Sequence, residues 1–356
     1  MKASTRIAST LALLGSMIIP SVGEAKPSLE ARINKAHIVA QQDSKIPNTR
    51  AKFVHSGQNV TLHPVVEGRN KGKKAFFSSA PFVHIKGRKI KTQKPLEGMQ
   101  VQWYKVESDS NGIFYDNKAD FNVPKALKFK NTPWKKGWNV SADVHPTTLS
   151  DQFSGISEGL GTMRYMAVVT YKGKRIATIG AEEIMDAQKD NKVKGRRVID
   201  PRVMKVAYRP NTGSWTDSVF ELFNTPYIWG SFASDVDKQW GSDCADLVVY
   251  AARHSGRSKT PYTWSYGLRE FTDLISKVDG KKGEHFTIDG KPIPWGKNGV
   301  QLGDALIGGR HAMLLYKDNG DGYLGKSDLM VHTLFAEPRV ERIGTHTPED
   351  VRRFRR

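Results

Sequence analysis

A single cysteine, Cys244, stands in 356 residues. No intramolecular disulfide can form, so packing and hydrogen bonding must hold the fold without a covalent staple. After residue 25 there is no apolar run of bilayer-spanning length. The chain shows no Cys/His spacing suited to zinc, no glycine-rich phosphate loop, no internal repeat and no low-complexity segment. The segment Asp318–Gly322 looks like a calcium loop, but with Gly322 in the sixth place Lys317 falls on the first ligand position, and a turn is the better reading. No metal or cofactor is therefore expected.

Acidic residues are also scarce: 36 Asp and Glu face 55 Lys and Arg, a net charge of +19. The imbalance is local. Residues 26–204 carry 32 basic and 16 acidic side chains, whereas 205–356 carry 21 and 19. A positive field concentrated in one half suits an anionic polymer or surface. The first 25 residues differ from the rest. Lys2 and Arg6 introduce the apolar run Ile7 to Ile19, and Gly23 and Ala25 occupy positions suited to signal peptidase. The reading is a signal peptide over 1–25 and an exported protein, periplasmic or extracellular. In that setting the anionic partner is an envelope polymer or a membrane surface touched peripherally, not nucleic acid.

Patterning divides the remainder. Residues 26–50 are polar and weakly periodic and read as a linker or arm. Residues 51–199 show short alternating runs split by turn residues, clearest where Met163 to Thr170 and Ile176 to Ile179 flank Lys172-Gly173 as a hairpin. A basic, mostly β accessory domain, sandwich-like or barrel-like, is expected there, with Trp103 in its core. The charged stretch 184–200 suggests a boundary near residue 200. In 200–345, Ser214 can cap a helix carrying Val219, Phe220 and Leu222, and a second apolar stripe (Leu247, Val248, Ala251, Ala252) follows Cys244 and stops near Gly256. Residues 258–300 are a long connection rich in aromatics. Ala305 to Ile307, His311 to Tyr316 and Leu329 to Phe335 then read as consecutive strands. One cysteine helix followed by a histidine-bearing sheet predicts an α+β domain. Residues 346–356 read as a frayed basic tail.

The chemistry centres on Cys244. A free thiol is most often a buried core group. Here it sits where Gly241-Ser242-Asp243 turns into a helix, whose free N–H groups and dipole favour a thiolate. His311 opens a strand and can act as a base, and His332 lies in the next strand, close enough to orient it. Helix-start N–H groups can serve an oxyanion.

The segments Pro226-Tyr227-Ile228-Trp229-Gly230, Asp243-Cys244, Gly303-Asp304, His311 and Met330-Val331-His332, in this order over 214–343, resemble the NlpC family of papain-like cell-wall cysteine peptidases. The resemblance implies an α+β papain-like domain over 200–345. It implies hydrolysis of peptidoglycan stem peptides, commonly between D-glutamate and diaminopimelate. Cys244 matches the nucleophile, His311 the base, His332 its orienting partner and Tyr227 a tyrosine serving substrate or oxyanion. Asp243, beside the nucleophile, joins the substrate-side residues. Two positions depart from the pattern: Ser231 replaces a second glycine, and Ala245-Asp246 replaces Ser-Gly, which places an acidic residue near the thiolate. The alternatives are an amidase or acyltransferase with another substrate, or a non-catalytic envelope-binding protein.

Overall fold

The structure is a computed structural model that describes residues 31–108, 115–116, 129–143, 156, 158–178 and 203–355. The expected signal peptide, 1–25, and the charged segment 184–200 lie outside these residues. Among the described residues strands make up 48% and helices 10%, with three α-helices. The expected α+β papain-like domain is thus corrected: the protein is mostly β. The reason lies after the cysteine helix. Between residues 268 and 354 short β-branched and aromatic runs alternate with glycine turns, and nine strands form where only the four-residue Leu268–Phe271 is helical.

In the first half, Arg32–Gln42 and Lys73–Phe77 flank Val60–Asn70, with the short Val140–Ser141 also on it. A six-stranded sheet lies beside this one. It runs Lys52–His55, Met204–Arg209, Gly161–Tyr171, Gln100–Ser108 and Phe129–Lys136, with Lys174–Ala177 paired to the second half of Gly161–Tyr171, beyond Met204–Arg209. The hairpin Gly161–Tyr171/Lys174–Ala177 turns through Lys172 and Gly173, both at positive φ, as a two-residue primed turn requires. Trp103 is fully buried and its indole N–H donates to Gly137 O at 2.9 Å.

Three segment readings change. Residues 26–50 are not an arm over their described part. Arg32–Gln42 pairs along Val60–Asn70, and a bulge between Ile33 and Lys35 puts Ile33, Ala36, Ile38 and Ala40 into one apolar cluster. That bulge breaks the two-residue alternation that would have marked a strand in the sequence. A boundary at 200 also misses, because Met204–Arg209 is an interior strand of the first half's sheet. The basic tail 346–356 is not frayed: Asp350–Phe354 lies between Thr272–Lys277 and Ala305–Gly308. Arg353 in this strand grips the buried Asp304, with Nε–Oδ1 and Nη2–Oδ2 both at 2.7 Å.

The sheet that positions the site runs Thr272–Lys277, Asp350–Phe354, Ala305–Gly308, His311–Lys317, Leu329–His332 and Arg339–Arg342, antiparallel throughout. Its residues alternate between two cores. Ala305, Ile307, Ala312, Leu314, Val331 and Val340 join the cluster that contains the cysteine helix. Leu306, Met313, Leu315, Met330 and Val351 join a second cluster with Phe286, Ile293, Val300 and Leu324. The first cluster continues from Ile33 to Phe354, so both halves of the chain share one core.

Candidate active site

Helix Cys244–His254 owes its start to Asp243, whose side chain accepts the Asp246 N–H at 2.9 Å. Arg253 and His254 occupy its last turn, where cations complement the dipole, and Gly256 at positive φ closes it. Every side chain from Cys244 to Ala252 is buried. The approach to the helix is set by the Pro226–Gly230 stretch. Ile228 N–H donates to Ser242 O at 3.0 Å, and a Cβ on Gly241 would stand 2.5 Å from Pro226 O and 2.6 Å from Ile228 Cδ1. Glycine is required there by this close approach.

The helix lies on strand His311–Lys317 and delivers the sulfur to its first residues. Cys244 Sγ is 3.8 Å from Arg310 O, and the Ala312 backbone N–H is aimed at it. The thiol therefore contacts main chain on both sides of His311. It is 4% exposed. Burial, and next the Asp243 carboxylate, push the thiol up to about 12, while the Ala312 and Ala245 N–H groups draw it back. Cys244 is a neutral thiol at rest.

His311 and His332 meet side by side, Nε2 to Nδ1 at 2.8 Å. His332 Nε2 stands 2.7 Å from Glu341 Oε1, off the line of an ideal hydrogen bond. Glu341 also receives Arg339 Nε at 2.8 Å and His346 Nε2 at 3.3 Å. Half-burial opposes its ionisation, but the contacts with His332, His346 and Arg339 prevail and hold the carboxyl well below its usual range. An ionised carboxylate accepts only, which sets the proton positions. His332 carries its proton on Nε2, toward Glu341. Its Nδ1 then accepts from His311 Nε2–H, and the remaining nitrogen of His311, Nδ1, is left with a lone pair. That atom is buried and has no hydrogen-bond partner among the described residues. Burial first, then the neighbouring His332, His346 and Arg339, push the His311 imidazole down to about 2. It too is neutral at rest, with the Nδ1 lone pair unengaged among the described residues.

A cleft of about 300 Å³ opens over the sulfur, lined by Trp229, Gly230, Asp243, Cys244, Ala245, Trp264, Ser265, Tyr266 and Arg310. Trp264 is 62% exposed at its mouth. Asp243 lines this cleft, with one carboxylate oxygen committed to capping the helix. Tyr227 is buried, its ring 5.4 Å from that of Phe335, which also stacks on Trp229 at 6.1 Å.

The two motif departures are one structural unit. Ser231 Oγ donates to Asp246 Oδ2 at 2.6 Å and accepts from Asp243 N–H at 3.0 Å. Asp246 also accepts from the Thr263 backbone. Burial, then the Asp243 charge, drive the Asp246 carboxyl well above its usual range, toward the neutral form. Rather than presenting a full negative charge to the thiol, Asp246 ties the Trp229–Ser231 wall of the cleft to the loop that carries Trp264.

Sequence reasoning named Cys244, His311 and His332 but missed Glu341, Arg339 and His346. Their only signal was strand pairing, which sets His332 opposite Arg339 and Glu341 opposite Met330. Trp264 and Tyr266 belong to an aromatic-rich stretch in which Phe286 and Trp295 do enter a core. No protein-family model, no curated protein and no solved structure matches this chain.

Proposed function

We propose that the protein is an exported cysteine-type hydrolase that cuts amide bonds in peptidoglycan stem peptides, of the D-glutamyl-diaminopimelate kind that its NlpC-like motifs suggest. One observation carries the reading. A thiol at a helix start contacts main chain on both sides of a histidine that is linked through His332 to Glu341.

The chemistry proceeds from neutral partners. As Cys244 sulfur attacks the carbonyl carbon, its proton passes to His311 Nδ1. His332 and Glu341 stabilise the imidazolium, and the same proton then goes to the leaving amine as the C–N bond breaks. Water, deprotonated by His311, cleaves the thioester and restores the thiol. A main-chain N–H at the start of the cysteine helix would serve the oxyanion, the Asp246 N–H being already given to Asp243. Trp229, Trp264 and Tyr266 give the cleft apolar walls against which substrate can pack.

The basic half supports the choice of substrate. Lys35, His37, Lys74, Lys86 and Arg88 line one concave surface, with Glu67 already paired to Lys74 at 2.6 Å. An anionic wall polymer fits such a surface. The test is digestion of purified peptidoglycan followed by mass spectrometry of the fragments. New amine termini that disappear with Cys244→Ala are expected. No termini from the wild type, or undiminished cleavage by the variant, would refute the reading. The burial of Cys244 favours a second reading, an envelope-binding protein without catalysis. Sedimentation of the protein with peptidoglycan, with no fragment released, would support it.

A further inference from the structure

We propose that His332, Glu341 and His346 form a binding site for a divalent ion of the zinc class, and that the ion switches off the base at His311. The ligand atoms of the three side chains lie within 4.8 Å of one another. Two imidazoles and one carboxylate are a zinc-type donor set that leaves a fourth position for water. Tetrahedral ligands about 2.0–2.1 Å from zinc stand roughly 3.4 Å apart. The His346 Nε2–Glu341 Oε1 separation of 3.3 Å already matches this, and the His332 Nε2–Glu341 Oε1 separation of 2.7 Å needs to open by less than about 1 Å.

His332 is the buried member of the set, and its Nε2 already faces Glu341 Oε1 at 2.7 Å. The supporting contacts are those that metal ligands need. His332 is oriented from its other nitrogen by His311 at 2.8 Å, and Arg339 holds Glu341 Oε2 at 2.8 Å so that Oε1 alone faces the imidazoles. Glu341 and His346 are partly exposed, which gives an ion a way in. The Arg339 charge opposes a cation and makes binding reversible rather than structural. Sequence spacing hides this site, because its ligands come from two paired strands and the loop after them.

The switch follows from proton positions and rests on the catalytic reading above. Metal on His332 Nε2 requires that nitrogen's lone pair, so the His332 proton moves to Nδ1. Nδ1–H then donates to His311 Nε2, and the proton of His311 relocates to Nδ1. No proton is gained or lost by the pair, but the nitrogen that should receive the thiol proton is now blocked.

The full chain is titrated with Co²⁺ and followed by its visible spectrum, and with Zn²⁺ by calorimetry. Wild type should bind one ion with a tetrahedral cobalt spectrum, and His346→Gln should weaken binding at least roughly tenfold while keeping a hydrogen bond to Glu341. No cobalt spectrum, or equal binding by the variant, overturns the site. Imidazole ¹⁵N shifts test the switch without any substrate. Zinc should move the His311 proton from Nε2 to Nδ1, and an unchanged tautomer with zinc bound overturns it. In the peptidoglycan digest, zinc should inhibit wild type, and His346→Gln should need roughly tenfold more zinc for the same inhibition. Failure of the digest alone would count against the peptidase reading, while the cobalt and ¹⁵N experiments still decide the metal site.

Discussion

Cys244 and Asp246 carry the residue-scale consequences. Because burial holds the thiol up to about 12, its reactive form is rare at neutral pH. Alkylation by iodoacetamide should be slower in the native protein than for free cysteine at pH 8. The rate should rise about tenfold per pH unit through pH 10, where free cysteine has levelled off. A plateau below pH 7 would show a preformed thiolate and contradict this. The sign for stability follows. Folding keeps the proton that the unfolded chain releases above pH 9, so Cys244 favours the fold below that pH and the contribution falls as pH rises toward 12. At Asp246, removing Ser231 takes a donor from a buried carboxyl, and removing Asp246 leaves the half-buried Ser231 hydroxyl without its acceptor. Ser231→Gly and Asp246→Gly should each cost about 1–2 kcal/mol, and the double variant about 1 kcal/mol less than the sum. Urea denaturation measures this, and strict additivity would show that the two residues are not coupled.

At the scale of elements, the C-terminal strand Asp350–Phe354 is structural although it is rich in arginine. It bridges Thr272–Lys277 and Ala305–Gly308, and Arg353 compensates the buried Asp304. Burial still raises the Asp304 carboxyl even with Arg353 in place, so the acid is the weaker half of the pair. Arg353→Ala leaves that carboxylate uncompensated and should destabilise the protein by about 3 kcal/mol. Arg355→Ala, whose partner Asp273 is exposed, should change stability little. Equal effects in thermal melts would remove the distinction. Truncation after Gly344 leaves two strands without their shared neighbour and should yield no soluble folded protein.

For the molecule as a whole, one apolar cluster joins the halves. Val219, Phe220 and Phe223 meet residues such as Met163 and Tyr165, and the cysteine helix continues that cluster into the histidine sheet. Unfolding should therefore be a single transition by calorimetry, and a fragment beginning at residue 200 should fail to fold alone. Two separated transitions would contradict the shared core. The expected division into a β domain and an independent catalytic domain came from composition and charge, which change near 200. Contacts do not follow that change, since strand Met204–Arg209 completes the first half's sheet.

The sequence by itself marked the chemistry that local order can specify. It placed the cysteine at a helix start, the histidines at His311 and His332 on successive strands, and the Lys172-Gly173 hairpin, because helix-start signals, alternation and turn residues act over a few neighbours. It could not show that Arg32–Gln42 is a strand, since a bulge erases its period. It hid the second sheet position of the basic tail, because only Asp304 explains an arginine there. Tertiary structure also decided the balance of β over α and the convergence of Glu341, Arg339 and His346 on His332. Those outcomes depend on which strands pair and in what register, and pairing joins residues that no local period connects.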